Sequence, residues 1–288
     1  MPIHIIERGI FPPLFAEIPD APERLFVRGT LPSPDEYIYL CVVGSRHASP
    51  YGKRAAASLI ASLSGYKIVI VSGLALGIDA DAHTAALAAG LPTIAVLPSS
   101  VDDASIYPAT NRALAARILE RGGALISEYT EGSRPAKWTF PARNRIMAGL
   151  SHATLLIEAS EKSGTLITAR LALDYNRDVL CVPHPIGSEN GAGNNRLLRE
   201  GATLIRSSDD ILEALGLRSS TDPRESPRTL PLDLGENEYA LLSALTEPLT
   251  RDELIERSGL AAQHANIALS SLSIRGLVIE RLGKVERV

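Results

Sequence analysis

The sequence predicts an α/β fold: a Rossmann-like, doubly wound, mostly parallel sheet with a small C-terminal winged helix-turn-helix domain. Three observations predict it. From residue 36 onward, short β-branched apolar runs alternate with alanine- and leucine-rich stretches of helical period, the pattern of successive βαβ units. Several of these apolar runs are continuous, as parallel strands covered on both faces are. Beyond Leu217 a serine- and proline-rich stretch without periodicity separates this pattern from a short, differently organised tail.

In chain order, residues 1–35 are a proline-rich preamble, too short and interrupted to hold its own core, which packs onto the main domain. Residues 36–217 are the Rossmann-like domain. Its expected strands are EYIYLCVV, KIVIVS, PTIAVL, ALISEY, ATLLIEA, DVLCVP and ATLIRS, and its helices include YGKRAAASLIASL, IDADAHTAALAAG, NRALAARILERG and TLITARLALDYN. Residues 218–235 read as a linker and residues 236–288 as the winged helix. In that last domain Thr250, with Glu253 three residues on, forms a capping-box pattern, and Ser258-Gly259 makes a turn. The helix AAQHANIALSSLSIRG follows, and LVIERLGKVERV folds as two short strands about Gly283.

The chain has 288 residues, 45% hydrophobic and 22% charged, with a net charge of −4. That is the balance of an ordinary globular protein, and no apolar run reaches the roughly 18 residues of a membrane span. The N-terminus shows no secretory signal, so a cytoplasmic location is expected. A negative balance excludes a protein coated in positive field, so any nucleic-acid site must be local. Cys41 and Cys181 lie in strand-like apolar runs without metal-type neighbours and read as core.

Doubly wound sheets hold ligands beyond the carboxyl ends of their strands, so the loops there are where chemistry is sought. After the first strand of the main domain stands Gly44-Ser45-Arg46, with Gly52 at the mouth of the next helix. Such a turn offers backbone N–H groups and a forked cation to a phosphate; alone, it would better suit a tight βα turn with a surface arginine. Neither G-x-G-x-x-G nor G-x-x-x-x-G-K-[ST] is present, so no cofactor is expected. After the next strand come Ser72-Gly73 and then Asp79 and His83, four apart on one helical face. That pair could serve as acid and base, bind a sugar hydroxyl, or cap and tether the helix, and the structural role is favoured. No third residue completes a triad, and no Cys/His cluster suggests a metal.

The strongest physical signal is residues 132–145, where Arg134, Lys137, Arg143 and Arg145 surround Phe140 and the only tryptophan, Trp138. No acidic residue occurs between Glu131 and Glu158. In an acidic chain this makes a local electropositive patch with stacking platforms, suited to unpaired bases rather than duplex. The competing reading buries Trp138 and Phe140 and leaves the arginines to cap a helix. Further on, Ser163-Gly164-Thr165 opens another helix and offers a second nest of N–H groups.

Together these motifs resemble the DprA/Smf family, DNA-processing protein A, in which a GSR turn, an SG-x-A-x-GID-x-x-AH element, an F-x-x-RNR segment and an SG-[ST]-L-[IT]TA loop follow in this order. Here they are VGSR at 43–46, SGLALGIDADAH at 72–83, FPARNRIMAGLS at 140–151 and SGTLITA at 163–169. The match runs over roughly residues 22 to 217, and PDAPERLFVRG and GNNRLLREGATLI also look like the family. The resemblance implies a non-enzymatic homodimer that binds incoming single-stranded DNA during natural transformation, protects it and loads the recombinase RecA onto it. It implies a groove lined by Arg46, Lys137, Phe140, Arg143, Asn144 and Arg145, with the Gly73 and Gly164 loops beside it. There are departures: LPSSVDDASIYP replaces a shorter glycine-containing loop, and His184 stands where Val-Pro-Gly is usual. The expected recognition helix carries Gln263, His264 and Asn266 but no Lys or Arg before Arg275, which fits an accessory or protein contact better than duplex reading. The rival class, a phosphoribohydrolase-type Rossmann enzyme, lacks its PGG-x-GT-x-x-E signature here, and the uncharged recognition helix argues against a transcription regulator.

Overall fold

The computed structural model describes residues 1–217, 234–245, 247–275, 277–281 and 283–287. The chain divides into two compact units, Met1–Ser220 and Thr221–Val288. Most of the expected linker, residues 218–233, lies outside the described residues.

The first unit runs β1 (Ile3–Glu7), α1 (Pro13–Ala16), β2 (Arg24–Gly29), β3 (Ile38–Gly44), α2 (Pro50–Ala61), β4 (Ile68–Ser72), α3 (Ile78–Ala88), β5 (Thr93–Val96), α4 (Arg112–Glu120) and β6 (Ala124–Ser127). It continues through α5 (Thr139–Leu150), β7 (Ala153–Glu158), α6 (Thr165–Asp174), β8 (Asp178–Cys181), α7 (Ala192–Arg199), β9 (Thr203–Leu204) and α8 (Ser208–Ala214). These strands form one nine-stranded sheet in the order β1-β2-β6-β5-β4-β3-β7-β8-β9. From β6 to β9 every pairing is parallel, while β1 and β2 are antiparallel. The preamble therefore does more than pack on the domain: LFVRG pairs with β6 and extends the sheet by two strands. The run ATLIRS shrinks to the two-residue edge strand β9.

Period-two alternation sorts the buried strand residues onto the two faces. Tyr39, Cys41 and Val43 join Phe15, Ile146, Met147 and Ala169 on the face covered by α1, α5 and α6. Leu40 and Val42 point the other way, to Ile60 of α2, Ile78 of α3 and Ile211 of α8. Both cysteines are buried within this core, and burial pushes each thiol up to about 12, so they are packing groups rather than thiolates. The chain leaves β3 toward β4 on one side and reaches β7 on the other, so the winding reverses between β3 and β7. That reversal opens a crevice at the carboxyl ends of these two strands.

The second unit holds α9 (Glu236–Ala244), α10 (Arg251–Ser258), α11 (Ala262–Ile274) and an antiparallel pair, β10 (Val278–Arg281) with β11 (Lys284–Arg287). Thr250 caps α10 with its hydroxyl on the Glu253 N–H, and Gly259 ends it in the left-handed region at φ 67°, as the sequence pattern requires. Leu241, Leu254, Leu269, Leu272 and Val285 form its own core. Among the described residues no helix is long and apolar enough to cross a membrane.

Candidate nucleic-acid interface

The crevice between β3 and β7 is a cleft of about 460 Å³. Four sequence-distant motifs meet there. The β3–α2 loop contributes Gly44, Ser45, Arg46 and His47, and α5 contributes Phe140, Arg143 and Asn144. The β7–α6 loop and the start of α6 contribute Ser160, Ser163, Gly164 and Thr165, and the β4–α3 loop and the start of α3 contribute Ala75 and Asp79.

The backbone explains how the loops are held. Ser45 N–H donates to Glu158 O at 2.8 Å, and Ile78 N–H donates to Ser45 O at 3.1 Å, tying the β3 loop to β7 and to α3. Gly77 adopts φ 75° with its α-carbon against the Ser45 and Arg46 backbone, so a Cβ there would strike main chain. Gly73 leaves room for the Arg143 guanidinium, which a Cβ would displace. At the other rim the Ser163 hydroxyl accepts from Thr165 N–H at 3.2 Å and shapes the start of α6.

The α2 N-terminus is already filled. Glu158, fully buried, accepts from Ser49 N–H at 3.1 Å and from the Ser49 hydroxyl, and a Cβ on Gly52 would press against its carboxylate. The Glu158 side chain thus fills the helix N-terminus expected to serve a phosphate at Gly52. Arg46 and the α6 start remain among the cleft's donors to an anion.

Helix α5 resolves the basic aromatic segment into two faces. Phe140, Arg143 and Asn144 follow i, i+3, i+4 spacing and line the cleft. Arg46 lies over the Phe140 ring with its guanidinium carbon 4.9 Å from the centroid. Arg143 is 4% exposed and donates from Nη1 to Val96 O at 2.8 Å and from Nε to Asn144 Oδ1 at 3.1 Å. Arg145 is a correction to the expected groove. One residue past Asn144, the helix turns it away to Glu128, 2.5 Å from its Nη2, and toward Asp20 at 3.9 Å. Ser72 is also removed from the surface: fully buried, its hydroxyl donates to Val42 O at 2.7 Å and locks β4 to β3. Lys137 and Arg134 are exposed on the loop before α5, outside the cleft lining. Trp138 is 66% exposed and meets Tyr129 edge to face at 5.8 Å, so it is not core.

Asp79 and His83 do not pair. The Asp79 carboxylate accepts from Ala75 N–H at 3.3 Å; burial pushes its pKa up and the Arg143 guanidinium pulls it down. His83 is buried against the Thr93 hydroxyl at 2.7 Å, and burial holds its pKa down to about 3, so it stays neutral. Asp79 thus tethers the loop before α3 and lines the cleft, while His83 packs in the interior. What the sequence reading left without a role is Tyr107, whose ring meets Phe140 edge to face at 5.8 Å. The Tyr-Pro step at the end of a loop after a parallel strand was the signal available for it.

A family model described as DNA recombination-mediator protein A matches residues 3–216. The Smf protein of Escherichia coli K12 is 37% identical over 282 residues, covering 96% of this chain and 75% of that protein. DprA of Streptococcus pneumoniae is 42% identical over 197 residues, 68% of each chain. The X-ray structure of Streptococcus pneumoniae DprA superposes with a TM-score of 0.68 at 39% identity, covering 73% of both chains. A Helicobacter pylori structure described as showing a single-stranded DNA binding mode of DNA processing protein A superposes at 0.66 and 31% identity, covering 75% of this chain and 96% of that one.

Proposed function

The chain belongs to the DNA recombination-mediator protein A family, the DprA/Smf proteins, and from that premise we propose that it binds single-stranded DNA in the β3–β7 cleft. The observation that carries this reading is the convergence of Arg46, Phe140, Arg143, Asn144 and the Ser163–Thr165 loop at one crevice, in a chain of net charge −4. Cation, stacking ring and N–H donors within one cleft suit a flexible strand whose phosphates and bases can be approached separately. The Helicobacter pylori relative, named for its single-stranded DNA binding, supports the assignment. Lys137 and Arg134, exposed on the loop before α5, supply further phosphate contacts at the rim.

In this reading the protein is a non-catalytic cytoplasmic homodimer that protects incoming strands and passes them to RecA, a role carried by the family resemblance of the four motifs. The second unit is a winged helix making an accessory contact, since its α11 face presents Gln263, His264 and Asn266 rather than cations. Titration of the pure protein against a labelled oligo-dT and the same-length duplex, followed by anisotropy, tests the central claim. Tighter binding of the unpaired strand is expected; equal or tighter binding of the duplex would remove it. Incubation with ATP, nucleoside monophosphates and DNA should leave all three intact.

A further inference from the structure

Arg46 stands exposed between two serines that a single residue holds. Before it, Ser45 N–H donates to Glu158 O at 2.8 Å. After it, Ser49 donates its N–H to Glu158 Oε1 at 3.1 Å and its hydroxyl to Glu158 Oε2. The Ser49 hydroxyl also accepts from Gly52 N–H at 3.0 Å, so its one proton is left for Glu158. Residues 45–49 are thereby closed into a short arch on Glu158, through its main chain at one end and its side chain at the other.

The register of the sheet aims Glu158 into that arch. Along β3 and β7, Val43 pairs with Leu156 and Gly44 with Glu158, so Ile157 is passed over. Leu156 packs on the face covered by α5 and α6 and Ile157 on the face covered by α2, and strict alternation would send Glu158 after Leu156. A bulge re-aims the side chain that follows it. Glu158 accordingly faces α2, fully buried, where a Cβ on Gly52 would come within 2.7 Å of its Oε2. From α3, Ile78 N–H holds the Ser45 carbonyl at 3.1 Å. Arg46 lines the cleft and Glu158 does not.

We propose that Glu158 is a positioning residue for the phosphate contact of the cleft: it meets no DNA, and it directs Arg46 by fixing the backbone on both sides of it. This role rests on the single-strand reading above and adds to it a residue that the ligand never touches. With the arch closed, the Arg46 guanidinium carbon lies 4.9 Å from the Phe140 centroid. A cation whose backbone is already held loses less freedom when a phosphate arrives. The arch needs an acceptor with two oxygens. A glutamine at 158 keeps the shape but presents one, so either the Ser49 N–H or its hydroxyl loses its partner.

The test is anisotropy titration of the full chain and its variants with labelled oligo-dT at several salt concentrations, with melting curves alongside. Glu158→Gln and Ser49→Ala should each weaken binding and flatten the slope of log affinity against log salt by about 0.7, as loss of one phosphate contact does on a single strand. A residue that served packing alone would leave that slope unchanged. Neither substitution should weaken binding further in an Arg46→Ala background, because residues acting through one contact are not additive. Ser49→Thr, which keeps the hydroxyl, should retain wild-type affinity and slope. Ser49→Ala carries the test if Glu158→Gln does not fold. A wild-type slope in the folded variants, or losses that add in full to that of Arg46→Ala, would overturn the positioning role and leave the cleft reading standing. Failure of the unaltered protein to bind oligo-dT would remove both.

Discussion

At Arg143 a guanidinium only 4% exposed interacts with the carboxyl of Asp79, itself 5% exposed, at the floor of the cleft. Each charge lowers the cost of burying the other. Arg143→Met keeps the volume and removes the charge, so it leaves the Asp79 carboxylate stranded. Destabilisation of about 3 kcal/mol at pH 7 is expected, the lower end for an uncompensated buried charge. The sign of its pH dependence follows from Asp79, whose folded pKa is raised by burial and would rise further without Arg143. A raised carboxyl pKa contributes stability below the unfolded value, near 3.9, that is lost as pH rises through the folded one. The stability gap between wild type and Arg143→Met should therefore narrow as pH falls from 7 toward 4, measured by urea melts at each pH. A gap constant over that range would show that Arg143 acts through packing alone.

Helix α5 divides its four chemical residues by angle. Its hydrogen-bond ladder puts Phe140, Arg143 and Asn144 on the cleft and carries Arg145 round to Glu128, where both side chains are about 15% exposed. Two arginines that look equivalent in sequence should then behave differently. Arg46→Ala should flatten the slope of log affinity against log salt by about 0.7 on a single strand. Arg145→Ala should leave that slope unchanged and lower stability by about 1–3 kcal/mol, because Glu128 loses its charged partner away from water. Salt titrations with melting curves alongside separate the two; a flattened slope for Arg145→Ala would return it to the groove.

The two units have separate hydrophobic cores, the first built on the nine-stranded sheet and the second on Leu241, Leu254, Leu272 and Val285. Every residue of the cleft belongs to the first unit. A chain ending at Leu217 keeps the sheet, α8 and the cleft, so it should fold cooperatively and retain most of the full chain's affinity for oligo-dT. Loss of binding by a truncated chain with an intact thermal transition would place an essential contact in the second unit.

The βαβ order, the parallel sheet, the start of α10 and the four motif loops were legible in the sequence, because apolar period, capping residues and glycine turns are local properties. The family resemblance was legible for the same reason: ordered motifs need no knowledge of what they touch. Only the tertiary structure decided which motif residues reach the site. That Arg145 leaves the groove for Glu128, that Ser72 is spent on Val42 O, and that Glu158 fills the α2 N-terminus depend on partners as many as 109 positions away in the chain. That Tyr107 stands against Phe140 depends likewise on where the sheet delivers two loops. Sequence patterns set the direction of each side chain relative to its own helix or strand. The sheet order, here a reversal between β3 and β7, decides what that direction meets.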